Sequence, residues 1–217
     1  MSKTIWLIRH GESAANAGLA TETPESIPLT EKGFRQAQLL ADYFPETPSL
    51  IIVSPYLRAE QTAAPLINRF SSLSVQKWVV HEFTYLSLER CGHSTMAMRK
   101  PLVDEFWNRS DADYCDGDGA ESFAGFIYRV RETTEKLKAA EYQSIAVFTH
   151  AQFIRALMWI ILTGNREINS KSMKEFYYFL LAVSFPNTAF VKINLSEFEA
   201  YVSNIISEHL EPGLISF

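Results

Sequence analysis

Four short apolar runs, at residues 4–9, 50–54, 75–80 and 144–149, alternate along the chain with longer segments whose apolar residues recur every three or four positions. The short runs are rich in Val, Ile and aromatic residues and have the length of strands buried on both faces; the longer segments have the period of helices. Strand alternating with helix predicts an α/β fold with a mostly parallel sheet and helices on both sides. The first helix is expected over residues 30–44, with Thr30 as N-cap, Phe34, Ala37, Leu40 and Ala41 along one face, and Pro45 and Pro48 as its stop. Ser54 followed by Pro55 reads as a cap and a first-turn proline. A second helix is therefore expected to start there, run through Phe70 and carry Arg58 in its first turns. Ser122 caps an expected helix that reaches about Ala140, with Phe126, Val130, Thr133 and Leu137 at helical spacing. Helices over residues 152–162 and 172–183 follow the fourth strand, and residues 189–193 and 201–205 close the chain as two strands able to pair as a hairpin.

Between Glu82 and Glu121 the pattern loosens into polar and glycine-containing sequence around a short helical stretch at residues 101–107. Such a segment inside a regular alternation predicts an insertion, residues 83–121, that lies over a functional site as a lid. It ends in Asp111-Ala112-Asp113-Tyr114-Cys115-Asp116-Gly117-Asp118-Gly119, whose acidic spacing misses a calcium loop because Cys115 takes the fifth position. A solvated acidic loop is expected there. No internal repeat, low-complexity tract or long linker divides the chain, which reads as one domain over residues 1–217.

Composition narrows the partners. With 47% hydrophobic residues, 217 residues suffice for one large core, and a formal net charge of −5 argues against a general nucleic-acid or membrane-surface binder. Cys91 and Cys115 have neither metal-ligand spacing nor a disulfide framework, which suits a reducing compartment. The apolar stretches at residues 156–162 and 176–185 fall short of the ~20 residues of a membrane span, and the N-terminal apolar run is too short for a signal peptide. A cytoplasmic protein is expected, with its oligomeric state left open.

The segment Arg9-His10-Gly11-Glu12-Ser13 follows the first strand, and Gly11 is expected to permit a tight exit from the sheet. Open α/β sheets bind ligands at the ends of such strands, where helix N-termini favour anions. Each leading strand ends in, or soon meets, a residue suited to phosphate: Arg9 and His10, Arg58, Glu82, and His150. A neutral imidazole can attack phosphorus to give a phosphohistidine, which makes His10 the candidate nucleophile. Arg9 and Arg58 offer planar, permanently charged forks for phosphoryl oxygens, and their charge disfavours protonation of His10. His150 is the candidate donor to the same phosphoryl group. A departing alkoxide needs a proton, a role assigned to Glu82, which then serves as base on water. Ser13 and Asn16 are candidates for neutral hydrogen bonds to phosphate or substrate. Of the five histidines, His10, His81, His93, His150 and His209, no pair has the spacing of a helical zinc motif, and arginines beside His10 and His150 make a poor cation site. No metal and no cofactor are expected.

These residues resemble the histidine phosphatase superfamily, in the branch that holds cofactor-dependent phosphoglycerate mutases and many small-molecule phosphatases. The resemblance is carried by Arg9-His10-Gly11-Glu12-Ser13 with Asn16, by Leu29-Thr30-Glu31-Lys32-Gly33, and by Ser54-Pro55-Tyr56-Leu57-Arg58-Ala59-Glu60-Gln61-Thr62-Ala63. Glu82, Glu121-Ser122 and Thr149-His150-Ala151 follow in the family's order. It implies a three-layer α/β/α sandwich, a covalent phosphohistidine on His10, a phosphate pocket of Arg9, Arg58 and His150, and metal independence. Where the family often has glycine after the second histidine, this chain has Ala151 and then Gln152, which become candidates for contact with phosphate and leaving group.

Family mutases typically carry an aromatic residue shortly before the asparagine near the nucleophile, and a later Asn-Leu-Pro-Thr-Gly segment. Here the corresponding stretches are Ala14-Ala15-Asn16 and Ser184-Phe185-Pro186-Asn187-Thr188. The expected activity is metal-independent hydrolysis of a small phosphorylated metabolite. Mutase-type phosphoryl transfer and a noncatalytic phosphate-binding module are the alternatives. In the insertion, Arg90, His93, Arg99, Lys100, Trp107, Arg109 and Tyr114 are able to contact a second anion, a sugar or an aromatic ring, or to build a structural lid.

Overall fold

Strands β1 (Lys3–Arg9), β2 (Leu50–Val53), β3 (Ser74–Lys77), β4 (Ser144–Thr149), β5 (Phe190–Leu195) and β6 (Ala200–Val202) form one mixed sheet in the order β3-β2-β4-β1-β5-β6. This computed structural model describes residues 2–164, 167–196 and 199–217. The first four strands run parallel, β5 is antiparallel to β1, and β6 pairs antiparallel with β5 as the expected hairpin. In β1, Ile5 and Leu7 join one apolar cluster and Trp6 and Ile8 the other, all four fully buried. Alternating side chains of a strand point to opposite faces, so burial of all four requires cover on both. Each large apolar side chain buried in this way contributes roughly 1.5–3 kcal/mol relative to exposure.

Helices α1 (Glu31–Tyr43) and α2 (Leu57–Arg69) cover the Trp6 face through Leu40, Ala41, Ala59, Ala63 and Leu66. The other face is covered by α5 (Phe123–Ala139), α6 (Ala151–Thr163) and α7 (Ser170–Ala182). The result is the three-layer α/β/α sandwich. Thr30 and Ser122 cap α1 and α5 as expected, each accepting from the third residue of its helix, Gly33 N and Gly125 N. A reciprocal cap between Asn169 and Ser172 starts α7 two residues earlier than the periodicity alone indicates.

Four local expectations are corrected. Phe34 is 47% exposed, and fully buried Gln36 takes the inward place beside Ala37, Leu40 and Ala41. Helix α2 begins after Pro55, with Tyr56 as N-cap, because the Ser54 hydroxyl is bonded to His150 Nε2 at 2.8 Å. The run expected to reach Val80 ends at Lys77, in an edge strand with Val75 half exposed. Residues 78–82 then leave the edge and cross the C-terminal ends of β2 and β4, with Trp78 N donating to Val53 O at 3.1 Å and Thr149 Oγ1 to Val80 O. That crossing carries Glu82 inward.

The fourth correction concerns the insertion, which holds α3 (Leu88–Cys91) and α4 (Met96–Arg109), a longer helix than residues 101–107. Pro101 lies within α4 and forfeits one backbone bond, yet the helix continues because Phe106 and Trp107 are locked in the core. Trp107 stacks on Tyr177 of α7 and Phe83 on Phe126 of α5, with centroids 4.9 and 4.4 Å apart. The acidic loop is tied in as well. Asp116, its side chain 1% exposed, accepts from Ser87 N at 3.0 Å and pairs with Arg90. Among the described residues no cluster of His, Cys, Asp or Glu could hold a metal ion, and no helix is long and apolar enough to cross a membrane.

Candidate active site

Strand register assembles the site. Arg9 of β1 lies opposite Thr149 of β4, so the next residues, His10 and His150, emerge side by side with ring centroids 5.1 Å apart; His10 N donates to Thr149 O at 3.0 Å. On the other flank of β4, Ser54 N donates to Phe148 O at 2.9 Å at the end of β2, and the first turn of α2 then delivers Arg58. Arg58 joins the two histidines. Its Nε donates to His10 Nε2 at 3.2 Å, its Nη2 to His150 Nδ1 at 3.1 Å, and its Nη1 to Pro24 O at 2.6 Å.

These contacts define the tautomers. Gly11 O can only accept, and it lies 2.7 Å from His10 Nδ1, so Nδ1 carries the hydrogen and Nε2 keeps its lone pair. Burial first, then the charges of Arg58 and Arg9, hold the His10 pKa well below its ordinary 6.5, and the ring is neutral at pH 7. Arg58 can only donate, so His150 Nδ1 accepts and Nε2–H donates to Ser54 Oγ. Burial and Arg58 keep this ring neutral too. His150 is fully buried and does not line the cavity; Arg58 Nη2 is its link to it. Its expected role as donor to a phosphoryl group thus requires a second proton, on Nδ1.

Arg9 and Arg58 are each 6% exposed, and desolvation lowers both to about 10, with Glu82 acting in the opposite direction. Both remain cationic at neutral pH. Arg9 Nη1 is held by Phe185 O, while its buried Nε has no protein partner, a donor available to an anion. Glu82 is fixed through Oε1, which accepts from Phe83 N at 3.2 Å and Gln152 N at 3.1 Å.

The loop after β1 is clamped from several sides. A Cβ on Gly11 would meet Gly33 O at 2.7 Å, and one on Gly33 would meet Glu12 O at 2.1 Å. Gly11 does not adopt positive φ, so its function is close backbone approach to α1 in place of the expected tight exit. Gly11 N donates to Thr62 Oγ1 at 2.9 Å, Glu12 N to Gln36 Oε1 at 2.7 Å, and Asn187 Nδ2 to His10 O at 3.1 Å. Asn16 Oδ1 accepts from Ser13 N, Ser13 Oγ and Asn187 Nδ2, which leaves the Asn16 amide hydrogens as its group for a ligand. The hydroxyl of Ser13 is spent on that orientation.

Arg9, His10, Arg58 and Glu82 open on a cavity of about 430 Å³, with Ser13, Asn16, Ala151 and Gln152 also on its wall. Of the insertion side chains singled out above, Arg99 alone reaches it. Arg90 pairs with Asp116 and Glu105, Lys100 with Asp104, and Arg109 lies 3.9 Å over the Tyr114 ring; Trp107 is buried in the core and His93 is exposed. Sequence reasoning missed Ser54, Gln36, Thr62 and Asn187, and also Arg155 of α6, which lines the cavity with its Nε donating to Val183 O at 2.7 Å. Buried Gln36, on an inward helical face, was the one with a readable signal.

A model of the histidine phosphatase superfamily (branch 1) matches residues 5–175. The adenosylcobalamin/alpha-ribazole phosphatase of Salmonella typhimurium is 26% identical over 166 residues, covering 73% of this chain and 79% of the relative. The alpha-ribazole phosphatase structure from Shigella flexneri superposes with a TM-score of 0.72 at 22% identity, over 94% of this chain and 96% of that one. A phosphoserine phosphatase mutant from Entamoeba histolytica, in complex with phosphoserine, gives 0.73 at 18% identity, over 96% and 100%. With the family's model spanning most of the chain and phosphatases as its relatives, the protein belongs to the histidine phosphatase superfamily and is a phosphomonoesterase.

Proposed function

We propose that the chain hydrolyses small phosphorylated metabolites in two in-line steps through a phosphohistidine on His10. The observation that carries this reading is the His10 hydrogen-bond pattern, with Nδ1–H spent on Gly11 O and an unprotonated Nε2 beside Arg58. Nε2 attacks phosphorus, the N–P bond forms, and the ester P–O bond breaks as Glu82 gives its proton to the departing oxygen. Arg9 and Arg58 bind the phosphoryl oxygens, and neutral His150, accepting from Arg58 Nη2 at Nδ1, holds that guanidinium in place for them. In the second step Glu82 takes a proton from water, water oxygen bonds to phosphorus, and the N–P bond breaks to restore neutral His10.

Cationic side chains supply the charge stabilisation, so no metal is assigned a role. The cavity volume and its lid support a small-molecule substrate. A reducing cytoplasmic setting fits the two free thiols, Cys91 and Cys115. The test compares wild type with Glu82→Gln on an alkyl phosphate and on p-nitrophenyl phosphate. Wild type should release phosphate from both. The variant should lose roughly 10²–10⁴-fold in kcat on the alkyl ester, and less than about tenfold on the nitrophenyl ester, whose leaving group needs no proton. Equal losses on both would remove Glu82 from the acid role, and no release by wild type would overturn the reading.

A further inference from the structure

The two side-chain amides that hold the nucleophile loop, Gln36 and Asn187, are fully buried, and an amide presents an acceptor at one end and donors at the other. Gln36 holds Glu12 N only with Oε1 toward the loop, and Asn187 holds His10 O only with Nδ2 toward it. Residues 214–216 bind the opposite end of both. Gln36 Nε2 donates to Leu214 O at 2.6 Å and to Ser216 Oγ at 2.9 Å. Ser216 Oγ in turn donates to Asn187 Oδ1 at 3.1 Å, and Ser216 O accepts from Asn187 N at 2.8 Å. A hydroxyl can accept from one amide and donate to the other through a single atom, and this one fixes which way each amide faces.

The segment reaches that position along α1. After the single 3-10 turn Pro212–Leu214, Leu214 is buried, and Lys32 Nζ donates to Ile215 O at 3.4 Å. Arg35 pairs with Glu211 at 3.5 Å, an exposed contact of little energetic weight. The bonds of Ser216 and Leu214 to Gln36 are thus the ones that tie the segment to the loop. The next residue, Phe217, lies on the cavity wall.

Glu12 N and Gly11 O belong to the same peptide group. Gln36 grips its N–H, and its carbonyl takes the hydrogen of His10 Nδ1 at 2.7 Å. The preceding peptide is gripped at His10 O by Asn187 Nδ2 at 3.1 Å and by Thr188 N at 3.2 Å. A tilt of either peptide turns the imidazole away from the line along which Nε2 meets phosphorus.

We propose that Ser216 is a positioning residue for His10, acting through Gln36 and Asn187 on the two peptides that flank Gly11. This deepens the hydrolytic reading above and rests on His10 as its nucleophile.

The experiment compares wild type, Ser216→Ala, Ser216→Thr and His10→Ala on p-nitrophenyl phosphate, with calorimetric binding of inorganic phosphate to each. Ser216→Ala should lower kcat roughly tenfold, because the ring is misaligned in the transition state. Its Kd for phosphate should stay within about twofold, with one phosphate bound per chain, because Arg9 and Arg58 do not touch Ser216. Ser216→Thr keeps the hydroxyl and should hold kcat within about threefold of wild type. An unchanged kcat in Ser216→Ala would overturn the proposal. So would a loss that Ser216→Thr shares, or one matched by weaker or substoichiometric phosphate binding, since these mark general damage to the fold. Turnover by His10→Ala at the wild-type rate would overturn the nucleophile reading and this proposal with it; with His10→Ala inactive, the Ser216 results bear on the positioning role alone.

Discussion

Ser54 sets the hydrogen of His150 from a fully buried position off the cavity wall. Its Oγ accepts Nε2–H at 2.8 Å while Arg58 donates to Nδ1, so the ring's orientation and tautomer depend on one hydroxyl and one guanidinium. Ser54→Ala removes the hydroxyl and leaves Nε2–H buried without an acceptor. The expected result is a loss of about tenfold in kcat with KM within about twofold, and unchanged circular dichroism. An unchanged kcat would mean that Arg58 alone orients His150. Ser54 illustrates what a single sequence conceals. That Arg9, His10, Arg58 and Glu82 gather at one cavity, with His150 behind them, was legible because each lies at or soon after the end of a strand. A serine before proline is read as a cap, and its actual partner lies 96 residues away. Arg155 and Asn187 were silent for the same reason, since their contacts belong to chain segments far apart in sequence.

At the scale of elements, the nucleophile loop and the start of α1 act as one unit. Gly33 lets α1 approach until a Cβ would meet Glu12 O at 2.1 Å, and Gln36, one turn later, caps Glu12 N. Gly33→Ala must therefore push the helix and the loop apart. A loss of about 1–3 kcal/mol in urea unfolding is expected, together with a fall in kcat of roughly 10²-fold, because His10 moves with the loop. Retained stability and activity would show the contact to be pliable.

Element existence was legible from periodicity outside the insertion, where α3 was not expected, and the caps Thr30 and Ser122 were legible from their chemistry. Boundaries failed where a tertiary contact outbid a local signal. The edge strand β3 stopped early because the chain had to cross toward Glu82, and Pro101 did not break α4 because aromatic packing held the helix beyond it.

For the whole molecule, strand order is what turns scattered residues into a site. β4 inserts between β2 and β1, so three crossovers deliver Ser54, Arg58, His150 and His10 to adjacent strand ends. Periodicity identifies strands but does not order them, because lateral pairing is decided by which faces and crossovers pack together. The order and the identity of the site therefore came from the resemblance of motifs together with the structure, and the chemistry of each residue from its type. The most direct measurement of the central claim is a rapid alkaline quench during turnover of p-nitrophenyl phosphate, followed by peptide mass spectrometry that distinguishes the ring nitrogens. The account predicts one phosphoryl group on His10 Nε2, formed and lost at the turnover rate and absent from His10→Asn; turnover with no phosphoryl-enzyme, or with the group on another residue, would contradict it.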